Sequence, residues 1–307
     1  MIRQGSAGVS ASVLAQFVLL AVTWGASFLF IKIGLEGLSP TQVVLARLVF
    51  GAAALLAITL FTRQALPREA IVWGHLTVVA ILLCVAPFLL FAWAEQHISS
   101  GLASIYNATT PLMTMLVALA ALPAERPTPA RLTGLVAGFG GVLVVLAPWR
   151  GLGDSGVLAQ AYCLVATACY GLAFVYLRRF ISPRGLSAVP LATVQVSIGA
   201  VLMMLAAPFI ATQPMHLTAR VTLSMLALGV LGTGMAYVWN TAVVAGWGAT
   251  NASTVTYLTP LIGVALGVVL LDERVSWNQP VGAVIVVLGI VISQNRLLPT
   301  VRSRELV

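Results

Sequence analysis

Ten stretches of this chain are apolar for about 20 residues at a time and almost free of charge, and nothing else in the sequence limits the fold as severely. They lie at residues 13–35, 41–61, 71–94, 99–122, 132–148, 157–177, 187–211, 221–245, 249–271 and 279–293. A helix needs about 20 predominantly apolar residues to cross a bilayer, whereas barrel strands run to about 10 and alternate polar with apolar. The runs therefore read as membrane helices. Of 307 residues, 60 % are hydrophobic and 8 % charged, against roughly 25 % charged in soluble domains. A water-soluble fold is excluded, and ten crossings leave no room for a separate soluble domain. The first run is too long for a signal-peptide core and continues into further spans, so it reads as a retained helix behind a short cytoplasmic segment, 1–12.

The net charge of +8 does not point to nucleic acid. The basic residues are scattered through short connections, Arg178 and Arg179 are the only adjacent pair, and no basic stripe exists to track phosphates. They instead report orientation. Eleven of the 16 Lys and Arg fall in connections on the side of the amino terminus, only Arg150, Arg220 and Arg274 fall on the other, and Lys32 and Arg47 lie within spans. Basic residues collect on the cytoplasmic side, which places both termini inside, with 296–307 as a cytoplasmic tail. Cys84, Cys163 and Cys169 sit in apolar runs, with no disulfide framework and no zinc spacing.

The chain also repeats itself. Trp24-Gly25 aligns with Tyr170-Gly171, Phe28 with Phe174, Ala103-Ser104 with Ala252-Ser253, Thr110-Pro111-Leu112 with Thr259-Pro260-Leu261, and Glu125-Arg126 with Glu273-Arg274, at an offset of 146 to 149. Two five-helix halves, 13–149 and 150–295, follow. Five is odd, so the second half enters the membrane upside down. Inverted repeats are a common construction of secondary transporters.

Candidate functional residues come from the spans. Pro111 and Pro260 interrupt helices four and nine, and proline inside a membrane helix marks a kink or a cavity wall. Ser100, Ser104 and Asn107 precede one; Thr250, Ser253, Thr254 and Tyr257 precede the other, at helical spacing. A substrate path is expected between them, while serines and threonines that simply bond neighbouring backbones are the alternative. Trp24, Phe28, Tyr106, Tyr170, Phe174, Tyr237 and Trp239 lie away from the interfacial belt and suggest aromatic walls, with Asn107 and Asn240 as amides. Trp73, Trp93, Trp149 and Trp277 read as interface anchors, as does His75. Arg47 is the one charge deep in a span and is a candidate for a substrate carboxylate, with binding to the carbonyls of a kinked neighbour or snorkelling outward as the alternatives; Gln195 is its repeat counterpart. Lys32, nearer a helix end, is expected to snorkel outward.

Gly134, Gly138 and Gly141 on helix five, with Gly282 and Gly289 on helix ten, read as a close-packing face, either between the halves or in a weak homodimer. Gly229, Gly232 and Gly234 mark a bendable or closely packed segment. All eight acids fall at or beyond span ends. No helix centre carries a relay carboxylate, so facilitated diffusion or exchange is the simpler expectation, with Glu95 the acid best placed to enter a cavity. Paired aspartates, metal clusters and phosphate-binding loops are missing, which argues against an enzyme and against any cofactor.

Taken in order, Trp24-Gly25 with Phe28, Ala46-Arg47-Leu48 with Phe50, the two Thr-Pro-Leu segments and the Glu-Arg pairs resemble the EamA family of the drug/metabolite transporter superfamily, over about residues 14–295. Within it the chain looks most like the YddG-type aromatic amino-acid exporters. The resemblance implies an all-α bundle of ten transmembrane helices in two inverted repeats, a bacterial inner-membrane location, and a central cavity lined by helices one, three, four, six, eight and nine. The expected partners are a small-molecule substrate and the lipid bilayer. Export of aromatic amino acids is the leading expectation, export of drugs or other metabolites its rival, and a non-transporting scaffold or sensor the rival of another class.

Overall fold

The computed structural model describes residues 6–121, 128–147, 154–252 and 254–293. Helices joined by short connections make up these residues, with no strand among them. In chain order they are α1 (Ser6–Gly34), α2 (Pro40–Phe61), α3 (Ala70–Ala94), α4 (Ser100–Ala121), α5 (Pro129–Leu146), α6 (Asp154–Phe180), α7 (Ala188–Ile210), α8 (Ala219–Gly248), α9 (Val255–Leu271) and α10 (Asn278–Ser293). The first eight contain stretches long and apolar enough to cross a membrane. The last two are equally apolar but 17 and 16 residues long, rising about 25 Å where the hydrocarbon core measures about 30 Å. Their length accordingly falls short of the ten full crossings expected from the apolar runs.

Helix starts follow local chemistry. Ser39 accepts from the Gln42 amide while the Gln42 side chain accepts from the Ser39 amide, and Pro40 occupies the first turn, where its missing N–H costs nothing. Ser99, Thr128 and Thr218 cap α4, α5 and α8 in the same way, each accepting an amide three residues on. In a bilayer these caps matter more than in water, because no solvent is available for the orphaned amides.

Three helices are irregular at depth. α3 widens to π register over Ile81–Val85, where the Ala86 amide reaches back five residues to the Ile81 carbonyl, immediately before Pro87. α8 does the same over Ala227–Met235, with the Ala236 amide on the Leu231 carbonyl. The two π segments begin 146 residues apart, 227 minus 81, which is the offset of the sequence repeat. α4 breaks into a turn at Ala108 and Thr109, ahead of Pro111. Pro111 has no amide to give the Asn107 carbonyl, and Thr110 Oγ1 donates to that carbonyl instead at 2.7 Å. Thr109 Oγ1 likewise serves Tyr106, so the break exposes no carbonyl unpartnered at these two positions.

The glycine face joins α5 to α10 within this chain. A Cβ on Gly289 would sit 2.5 Å from the Gly138 amide nitrogen, and one on Gly141 would sit 2.8 Å from the Gly282 carbonyl. Backbone meets backbone along the pair, which is how small residues drive association in lipid, where apolar transfer supplies no force. That face is occupied, so it does not offer a homodimer surface. Replacing Gly289 by Ala forces the helices apart and should cost about 1–3 kcal/mol. The measurement is unfolding in detergent micelles; equal stability of Gly289→Ala and wild type would contradict the contact, and Gly140→Ala, where a Cβ meets nothing within 4 Å, is the control.

Candidate functional site

The candidate site is built around Arg47. α2 crosses α8 where glycines remove side chains from both surfaces: a Cβ on Gly229 would strike Phe50, and one on Gly51 would strike Thr233. This close approach delivers Thr233, from the π segment, to the Arg47 guanidinium, whose Nε donates to Thr233 Oγ1 at 3.1 Å. The guanidinium carbon lies 3.6 Å from the centroid of the Phe88 ring on α3, a cation–π contact that strengthens when water is excluded. Arg47 is 8 % exposed, and no carboxylate among the described residues lies within ion-pair distance. Its two terminal nitrogens have no hydrogen-bond partner among the described residues, so a fixed cation offers two free donors at the centre of the bundle. Tyr170 and Tyr237 stand within electrostatic range, and Gln195, the repeat counterpart, donates to the Tyr237 hydroxyl at 3.1 Å.

Aromatic rings continue from there. Phe91, one turn along α3 from Phe88, stacks on Tyr170 with centroids 6.2 Å apart and takes Phe28 edge-on at 5.4 Å. Phe28 is thus a buried member of the wall. Phe174 is 44 % exposed, yet it lies two residues beyond Leu172, roughly 200° around the helix from the outward stripe of Leu158, Val165 and Leu172. It shares the face of Tyr170, one turn along α6. Trp24 and Trp239 pack in a separate cluster of α1, α8 and α9, and Tyr257 packs against the cluster that contains Phe91 and Tyr106.

The remaining residues fall in varied surroundings. Tyr106 is 1 % exposed and its hydroxyl donates to Gln160 on α6, which places it in helix packing. Ser100 and Ser104 are fully buried against Gly267 and Gly263 of α9, and the serine face is a packing face. Asn107, Asn240 and Thr254 are partly buried, and Pro111 is partly buried while Pro260 is enclosed within α9. Lys32 does not snorkel: its ammonium donates to the carbonyls of Glu95 and Ile98, where the helix end leaves carbonyls without amides. His75 bonds the Tyr176 hydroxyl at 2.8 Å and stacks on Phe180. Trp73, Trp93 and Trp277 are exposed at helix ends. Glu125, Arg126, Trp149, Arg150, Ser253 and the side chain of Thr250 lie outside the described residues.

Where α1, α3, α7 and α9 finish, the helices are tied together. Glu273 folds back over Gly267, where any Cβ would occupy the space of its carboxylate, and accepts the amides of Ser100 at 2.6 Å and Gly101 at 3.0 Å. A negative group thereby caps the positive start of α4. Gln42 donates to the carbonyls of Ala211 and Gln213, Thr41 to that of Ile210, and the His216 amide to that of Gly37. These bonds close one end of the bundle. Glu95, one residue beyond α3, lies inside this closure with 0 % exposure.

Sequence reasoning missed Phe88, Phe91 and Thr233 and named Tyr237 only in passing. The signal for the two phenylalanines was their spacing of three after Pro87, which turns both to one face. Thr233 was legible as the one hydrogen-bonding side chain among the glycines of α8.

The EamA-like transporter family matches the chain twice, over residues 11–147 and 157–294. A probable terminal-alkyne amino-acid exporter of Streptantibioticus cattleyicolor is 26 % identical over 94 % of both chains. A probable amino-acid metabolite efflux pump of Salmonella typhimurium is 25 % identical, covering 90 % of this chain and 92 % of its own. The uncharacterized transporter YdfC of Bacillus subtilis is 26 % identical over 87 % of this chain and 86 % of its own. One crystal structure superposes with a TM-score of 0.67 at 18 % identity, covering 92 % of this chain and 98 % of its own, and so shares the fold. With two matches that together take in most of its length, the chain belongs to the EamA-like transporter family and is a multi-pass membrane transporter, not an enzyme.

Proposed function

We propose that this protein exports amino acids, aromatic ones foremost, by alternating access of a cavity between two inverted five-helix halves. The observation that carries the reading is Arg47: a guanidinium enclosed at depth, pinned by Thr233 and Phe88, with two donors and no carboxylate of its own. An enclosed charge without a partner is costly, and a solute carboxylate supplies the missing charge in the bidentate geometry that arginine favours. The row Phe28, Phe91, Tyr170 then meets the side chain of such a solute, with Phe174 one turn beyond Tyr170 on the same face of α6. Trp24, Asn107, Trp239, Asn240, Thr254 and Tyr257 border the path from the same end, with Pro111 and Pro260 as the bending points of α4 and α9. Two relatives named for amino-acid export support the class of solute.

In this reading the tied end faces the periplasm of a bacterial inner membrane and both termini are cytoplasmic. A single chain suffices, because the glycine face is filled by its own α10. Among the described residues no carboxylate lies within ion-pair distance of Arg47, which suits facilitated diffusion or exchange at that point.

Proteoliposomes loaded with labelled phenylalanine, labelled threonine or a cationic dye test the assignment. Phenylalanine should cross fastest, and Arg47→Met should slow it by about tenfold or more, the loss of charge-assisted hydrogen bonds worth about 1.5–3 kcal/mol. Faster flux of the dye than of phenylalanine, or an unchanged rate in Arg47→Met, would reject a carboxylate site. Asn107→Ala and Tyr257→Ala should each slow phenylalanine more than Trp277→Ala; the opposite ranking would remove these residues from the path.

A further inference from the structure

The acid that the Arg47 centre does without is found at the tied end. Glu95 is 0 % exposed, and neither of its carboxyl oxygens has a hydrogen-bond partner. The nearest cation, Lys32 on α1, points its donors at backbone carbonyls, one of them that of Glu95 itself, so it acts on the carboxyl only through space. Glu273, beyond α9, is a second negative charge nearby and is already committed to the amides of Ser100 and Gly101. Arg47 on α2 is a more distant cation, Cys163 on α6 is a buried neutral neighbour, and His97 on the same connection is exposed. An ionised Glu95 in this position is an enclosed charge without a single donor, facing one cation across a gap and a like charge beside it. Such a group takes up a proton sooner than remain charged. Burial pushes the Glu95 carboxyl well above the usual carboxylate range, Lys32 pulls it down, and Glu273 pushes it up again.

The closure that buries Glu95 is the same set of contacts that must part if solute is to leave by this end. Parting them would separate α4 from Glu273, bring water to the α3–α4 connection, and return Glu95 to conditions in which carboxyls ionise. We propose that Glu95 is a proton-binding site coupled to this closure: the end shuts when a proton from the adjoining solution adds to the carboxylate oxygen, and opening releases that proton. One O–H bond forms or breaks per cycle, and no other group changes charge. Acidity on the tied side therefore favours the closed state, since that state binds the proton more tightly. The proposal rests on the transporter reading but places the coupling group away from the solute site.

Two measurements test it, and the first needs no solute. Infrared spectra of the purified wild type in lipid at about pH 8, where exposed carboxyls are ionised, should show a protonated-carboxyl band that disappears in Glu95→Gln. Its absence from the wild type means Glu95 is ionised, which overturns the proposal whatever the protein transports. The second is phenylalanine flux in proteoliposomes as the pH on the tied side is varied. The wild-type rate should change severalfold, within the limit of roughly tenfold per pH unit for one proton, whereas Glu95→Gln should retain flux but lose the dependence. A pH profile in Glu95→Gln equal to that of the wild type overturns the coupling. Absence of any phenylalanine flux counts against the solute assignment, while the infrared band still decides the state of Glu95.

Discussion

In a bilayer a polar group that loses its partner cannot turn to water, and this constraint decides where the protein bends, where it closes and where it holds a charge. Each irregular helix shows the rule. α3 shifts to π register ahead of Pro87, and α4 breaks ahead of Pro111 with threonine hydroxyls on the carbonyls at the turn. The same rule explains Lys32, which sits on helix-end carbonyls where sequence spacing alone suggested that it would reach for solvent. Among the groups left with free valences, two can carry a charge: the terminal nitrogens of Arg47 and the carboxyl of Glu95.

In the proposed reading those two groups have different tasks. One is a permanent cation, since arginine does not give up its proton at accessible pH; it can attract a solute anion but cannot report on the solution. The other changes charge and is enclosed only while one end is shut. In the proposed mechanism the solute site and the proton site are different groups that act on each other only through space.

Much of the fold was legible in the residues themselves. The apolar runs located the helices among the described residues, whereas the Ser and Thr caps and the π segments of α3 and α8 were not anticipated. Arg47 could be singled out because a charge at that depth has few other reasons to exist. Tyr106 and the serines of α4 could not be assigned from spacing, because a helix in the middle of a bundle is polar both where it lines a path and where it touches a neighbour. The fate of Glu95 was equally hidden. Its position one residue past a span made it the acid best placed to enter a cavity, but spacing could not show that its carboxyl oxygens would be enclosed without a hydrogen-bond partner.

The seam between α5 and α10 has a mechanical meaning. Two helices whose backbones touch along several turns present no smooth surface on which to slide, because any axial shift drives a side chain into the slot of a glycine. They can still tilt slightly about their line of contact. One helix comes from each half of the chain, so the seam fixes the halves along one line and restricts any movement between them to tilting about it.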